Sequence, residues 1–166
     1  MQNIRRILVP IDFSACSRAA IDYAAFLARS FEASIDLLHV REPPPLFSPE
    51  MVMLMPGDRP GTLTEFAASP GGTECKSLLA ELELLRIPVR GRLESGPIAE
   101  TVVEVADDYD LIVMGTHGRT GLAHLFLGSV AERVVRRAKC PVLTVRQTAS
   151  VDAATGASGA ASGRAS

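Results

Sequence analysis

Short apolar runs alternate with segments of helical periodicity from Ile4 to Arg146, and few architectures accommodate that pattern. "IRRILVPID" (Ile4 to Asp12), "SIDLLHV" (Ser34 to Val40) and "DLIVMG" (Asp110 to Gly115) read as buried strands. "PVRGRLES" (Pro88 to Ser95) alternates weakly and is expected near a sheet edge, and "CPVLTVR" (Cys140 to Arg146) closes the set as a fifth strand. Between them lie helices. Ala20, Tyr23, Ala24, Leu27 and Phe31 fall on one face of the first, with Ser14 or Ser17 as its cap. Leu78, Leu79, Leu82 and Leu85 mark a second, which "SPGG" (Ser69 to Gly72) separates from an earlier helical piece. Ile98, Val102, Val105 and Tyr109 share a face of a third, with Pro97 suited to its first turn. A fourth runs from about Ser129 to Ala138. Strands that alternate with helices build an α/β domain: a mainly parallel sheet with helices on both faces and right-handed crossovers.

Two stretches depart from this rhythm. Residues 41–61 are rich in proline and methionine, which excludes a continuous helix or central strand. They read as an irregular insertion, either packed against the domain edge by its methionines or acting as a flap over a ligand or partner. Residues 147–166 are almost entirely Ala, Ser, Gly and Thr, too poor in apolar surface to offset ordering, so a disordered tail is expected after a single domain over 1–146.

Composition narrows the function classes. The net charge is −2, so the overall field does not draw in nucleic acid or an acidic membrane. The cations of "RVVRRAK" fall at a helix C-terminus, where the backbone dipole favours them. Cys16, Cys75 and Cys140 show neither disulfide-scaffold nor zinc spacing, which fits a reducing compartment. No run approaches the roughly 18 apolar residues of a membrane span, and "MQNIRRILVPIDFS" lacks a signal-peptide core. The expectation is a soluble, cytoplasmic protein with no nucleic-acid or membrane partner.

The segment after the fourth apolar run carries the chemistry. "GTHGRTGLAHLFLGSVAER" (Gly115 to Arg133) is far longer than the about 2–6 residues a strand-to-helix connection takes. Glycine costs conformational entropy wherever it is not needed, so each of these either serves a turn or cap or, as their spacing together favours, makes room for an occupant. Gly115 and Gly118 allow close approach of their amides to a ligand, and Gly128-Ser129 stands just before a helix. Ser129 and Glu132 have the spacing of a capping box. Free amides and the positive dipole end at such a helix start attract an anion, most naturally a phosphate. Neither the Walker pattern nor GxGxxG is present, so backbone amides rather than a lysine would hold it. In open parallel sheets ligands bind beyond the C-terminal strand ends, where strand order reverses. "VPIDFS" and "VMGTHG" would then face one crevice.

Several residues have two readings. Asp12 contacts a nucleotide or simply favours the start of the next helix. His117 donates to a phosphate, shuttles a proton, or is an exposed loop histidine. Arg119 offers a phosphate-matching fork or is solvated. His39 reads as a satisfied core or edge histidine, and Cys16 as a small filler or a thiol activated at a helix start.

Gly115, two residues, Gly118, nine residues, then Gly128-Ser129 resembles the ATP-binding signature of the universal stress protein family. "DLIVMGTHGRTGLAHLFLGSVAERVVRRAKCPVLTVR" looks like that family's C-terminal half, and "ILVPIDFS" like its opening strand and turn. The resemblance implies a five-stranded parallel sheet in the order 3-2-1-4-5, of the adenine nucleotide alpha hydrolase-like kind. It implies ATP as ligand, with magnesium or manganese (Mg or Mn) and no assigned metal ligands. Asp12 would hold the nucleoside, flanked by Pro10 and Ile11; Val40 and Met114 would border the base. Gly115, Gly118, Gly128, Ser129 and Val130 would line ribose and phosphates, with His117 and Arg119 beside them. It further implies a homodimer across residues 141–146, with an unidentified protein partner in regulation. The expected function is that of an ATP-binding regulatory module of the stress response, with no catalytic residues assigned and at most weak ATP hydrolysis. The alternatives are a slow ATP hydrolase, or a dimeric interaction platform that needs no nucleotide.

Overall fold

Five parallel strands carry the apolar runs. They are β1 (Arg6–Pro10), β2 (Ser34–Arg41), β3 (Val89–Ser95), β4 (Leu111–Gly115) and β5 (Val142–Val145). The computed structural model describes residues 3–42, 72–117 and 127–146. The Pro/Met-rich insertion beyond Glu42, the helical piece before "SPGG" and the tail 147–166 lie outside these residues. The strand order is β3-β2-β1-β4-β5, every pair parallel, with β3 and β5 at the edges. Register sets Leu8 beside Asp36 and Ile112, and Met114 beside Thr144.

Alternation along each strand divides the core in two. Ile7, Val9, Ile35, Leu37, Leu111 and Val113 face α1 (Ala15–Phe31) and α2 (Gly72–Leu84). Leu8, Leu38, Ile112 and Met114 face α3 (Ile98–Val105) and α4 (Ser129–Arg137). Central strands buried on both faces explain the nearly unbroken apolar runs.

The helices correct three expectations. On α1 the buried positions are Ser17, Ala20, Ile21, Ala24, Ala25 and Ala28, while Tyr23 and Phe31 are exposed. A stripe of small side chains lets the helix lie close on the central strands, so the aromatics are left at its margins. Leu85 falls beyond α2 and is exposed. The third helix ends at Val105, and a 3-10 turn (Ala106–Asp108) follows. Tyr109 therefore lies outside the helix, yet stays buried in the same cluster, its hydroxyl donating to Asp36 and its ring beneath the Arg6 guanidinium. Burial, reinforced by that bond, raises the Tyr109 pKa above the usual phenol value.

Candidate functional site

The chain changes sides of the sheet between β1 and β4, which are neighbours, so their C-terminal ends flank the topological switch point. A cavity of about 400 Å³ opens there, within the size range of small-molecule sites.

Its floor comes from β1 and the turn after it. Pro10 has no N–H, and Ile11 makes the next bond to the sheet, donating to the Leu38 carbonyl at 2.8 Å. The chain then turns at Phe13, whose φ of 64° is left-handed. Ser14 caps α1, its hydroxyl accepting from Ser17 N–H at 3.2 Å, as the sequence allowed. Asp12 lines the cavity and accepts from Ser14 N–H at 3.0 Å, so its contribution to the start of α1 and its exposure to the cavity coexist.

The opposite wall comes from β4 and the start of α4. The Thr116 N–H extends the sheet to the Val145 carbonyl at 2.9 Å, and the Thr116 carbonyl accepts from Gly128 N–H at 2.8 Å. That second bond brings the start of α4 against the end of β4. The first intrahelical bond of α4 runs from Glu132 N–H to the Gly128 carbonyl at 2.9 Å. The N–H groups of Ser129, Val130 and Ala131 therefore have no acceptor within the helix, and all three residues line the cavity. Together with the dipole they make the anion-attracting end of the site.

Two details differ from the expected cradle. Gly128, not Ser129, is the N-cap, and no side chain caps the helix. Ser129 is the first helical residue, and Glu132 pairs with Arg136 at 2.8 Å instead of closing a capping box. The missing side chain of Gly115 faces protein: a Cβ there would lie 2.9 Å from the Cys16 Cβ. Cys16 is thus a half-buried neighbour of β4, packed against the glycine.

Pro10, Ile11, Asp12, Val40, Met114, Gly115, His117, Gly128, Ser129 and Val130 all line this one cavity. Gly118 and Arg119 lie outside the described residues. Thr116 Oγ1 and His117 Nδ1 are 3.0 Å apart. The lining also holds Ser17, Leu38, His39, Ile98, Val102, Thr116 and Ala131, none of which the sequence reading placed there. Ile98 and Val102 read only as core, because one apolar face of α3 both packs on the sheet and borders the cavity. Among the described lining residues there is no lysine or arginine, and Asp12 is the only carboxylate. No group of three or more His, Cys, Asp or Glu that could hold a metal occurs among the described residues, and no helix among them is long and apolar enough to cross a membrane.

Known proteins share this fold. The chain is 33% identical over 146 residues to universal stress protein MJ0531 of Methanocaldococcus jannaschii, covering 86% of this chain and 82% of that protein. It is 35% identical over 148 residues to universal stress protein A homolog 1 of Coxiella burnetii, covering 86% and 96%. The solved structure of MJ0577, also from M. jannaschii, superposes with a TM-score of 0.70 at 27% identity, covering 90% of this chain and all of that one. At lower identity the fold recurs in a universal stress protein solved with cAMP (TM-score 0.59, 23% identity, covering 87% and 98%). It recurs again in one from Archaeoglobus fulgidus solved with dAMP (TM-score 0.59, 17% identity, covering 87% and 99%). The family model described as "Universal stress protein family" matches residues 3–146, and with the sheet order and the switch-point cavity it leads to one conclusion: the chain belongs to the universal stress protein family.

Proposed function

We propose that the cavity between β1 and β4 binds ATP and that the chain works as a nucleotide-dependent regulatory module of the stress response. The observation that carries this reading is the free first turn of α4 opening onto an otherwise largely apolar cavity. Base and ribose would lie against Ile11, Val40, Ile98 and Met114, with Asp12 accepting from a nucleoside hydroxyl. The phosphates would take the amides of Ser129, Val130 and Ala131 and the Ser129 hydroxyl. Gly118 and Arg119 belong to the same proposal through the glycine spacing. Adenine as the base is supported by the relatives of this fold solved with cAMP and dAMP.

A divalent ion would be held chiefly by the phosphates, as magnesium commonly is, with Asp12 as the one carboxylate among the described lining residues. β5, a sheet edge with half-buried Val142, Leu143 and Thr144, would pair with its copy in a homodimer. Sedimentation as a monomer at micromolar concentration would reject that pairing.

Thermal unfolding with and without Mg-ATP tests the ligand. At about 100 times the dissociation constant, binding adds about 2.7 kcal/mol to stability. No shift at millimolar ATP rejects the reading, and a larger shift with AMP or cAMP moves it to another adenine nucleotide.

A further inference from the structure

The turn that carries Asp12 is tied on both sides to one side chain of the neighbouring strand. After Ile11 donates to Leu38, the chain must leave the sheet and begin α1 at Ala15. It does so through Phe13 in a left-handed conformation that residues other than glycine rarely adopt. Such a conformation persists only where its surroundings hold it. His39 of β2 supplies two holds. Its Nδ1 lies 3.0 Å from the Ile11 carbonyl oxygen. Its ring meets the Phe13 ring at a centroid distance of 5.1 Å and a tilt of 52°. A carbonyl oxygen only accepts, so Nδ1 is the protonated nitrogen and donates in both the neutral and the charged ring. The residues immediately before and after Asp12 are therefore both tied to His39, and Asp12 between them lines the cavity.

We infer that His39 is the positioning residue that aims Asp12 into the cavity. The inference rests on the nucleotide reading above and deepens it. His39 acts through the turn, by fixing the Ile11 carbonyl and seating the Phe13 ring. Asparagine at this position can replace the first hold, since its amide nitrogen sits about where Nδ1 does and also donates. Leucine fills the space and donates nothing.

The test measures ATP affinity by calorimetry for the wild type, His39→Leu, His39→Asn, Asp12→Ala and the double variant His39→Leu with Asp12→Ala. Urea unfolding of each apo protein verifies that it is folded. His39→Leu is expected to weaken ATP about tenfold, the worth of one well-placed hydrogen bond to the ligand. His39→Asn should recover most of that loss. In the Asp12→Ala background His39→Leu should change nothing further, because the group it positions is gone. Wild-type affinity in folded His39→Leu, failure of His39→Asn to recover binding, or losses that simply add would each overturn the inference. Amide resonances of Asp12, Phe13 and Ser14 give a second readout that needs no ligand. His39→Leu should shift them and speed their hydrogen exchange, and His39→Asn should restore them. If the wild type binds no ATP, the nucleotide reading fails, and the amides alone decide: unchanged resonances in His39→Leu mean that His39 positions nothing.

Discussion

Replacing Gly115 by alanine tests why β4 ends in glycine. The added Cβ would lie 2.9 Å from the Cys16 Cβ, 3.0 Å from its carbonyl carbon and 3.2 Å from its carbonyl oxygen. Favourable carbon–carbon contacts begin at about 3.5 Å, so the methyl group intrudes by roughly half an ångström. Two of the three atoms are backbone of the first turn of α1, and the third is a Cβ, so no rotamer change relieves the contact. The start of α1 must lift from β4. Overpacking of this kind costs about 1–3 kcal/mol. A loss near 2 kcal/mol lowers the melting temperature of a domain this size by about 4–8 °C. The assay is urea and thermal unfolding of the apo protein followed by circular dichroism. Cys16→Gly removes the nearest atom but leaves the backbone contacts. Its combination with Gly115→Ala should therefore lose less than the sum of the two, by about 0.5 kcal/mol or more. A Gly115→Ala protein that melts within about 1 °C of the parent refutes the close-approach argument. If that protein also fails to bind ATP, the bare Cα serves the ligand instead.

Ser129→Ala should leave apo stability within about 0.5 kcal/mol of the parent, because Gly128 holds the cap position. It should weaken ATP by roughly 5–10-fold through loss of the hydroxyl, read by calorimetry; a destabilised apo protein with unchanged ATP binding would reverse that assignment. Asp110 accepts from the Arg5 and Arg6 N–H groups at 2.8 and 2.9 Å, and these bonds hold its carboxyl below the usual range. A lowered folded-state pKa means stability that is present above the ordinary value of about 3.9 and lost as pH falls through the folded one. The stability gap between the wild type and Asp110→Asn in urea should therefore stay level down to about pH 5 and shrink below about pH 4. A gap that persists to about pH 2.5 would show that the ionised carboxylate contributes nothing.

The strands were legible because two-sided burial writes an apolar run into the sequence, as in Ile7-Leu8-Val9 and Leu111-Ile112-Val113. The strand order came from resemblance, since neither periodicity nor composition says which strand lies beside which. The buried face of α1 was misread because periodicity weights large apolar residues, and Tyr23 and Phe31 lie on a helical stripe beside the alanines. Close packing on a sheet selects the small side chains, which hydrophobicity ranks below the aromatics. The capping box failed for a related reason. Serine and glutamate three apart satisfy the spacing, but Gly128 N–H is already bonded to Thr116 O, which fixes the cap one residue earlier. His39 escaped as a lining residue because one histidine in an apolar strand gives no sign of what its ring meets across the sheet.

The glycines show what spacing encodes and what it leaves open. Gly115 was read as baring its amide to a ligand and Gly128 as lining ribose and phosphates, yet their missing side chains face protein, at Cys16 and at Thr116 O. Close approach by a ligand and close approach by another stretch of main chain demand the same residue. At both positions the structure uses glycine to draw the starts of α1 and α4 against the end of β4. That drawing-in leaves the donors of Ser129, Val130 and Ala131 at the cavity wall, where the sequence had placed an anion. Gly115 and Gly128 thus mark the convergence of three chain segments, and the amides of the first turn of α4 at the cavity wall are its consequence. On this account a substitution at Gly128 would weaken the proposed ATP binding by moving α4, so its effect on affinity and on apo stability should rise together, whereas Ser129→Ala should separate them.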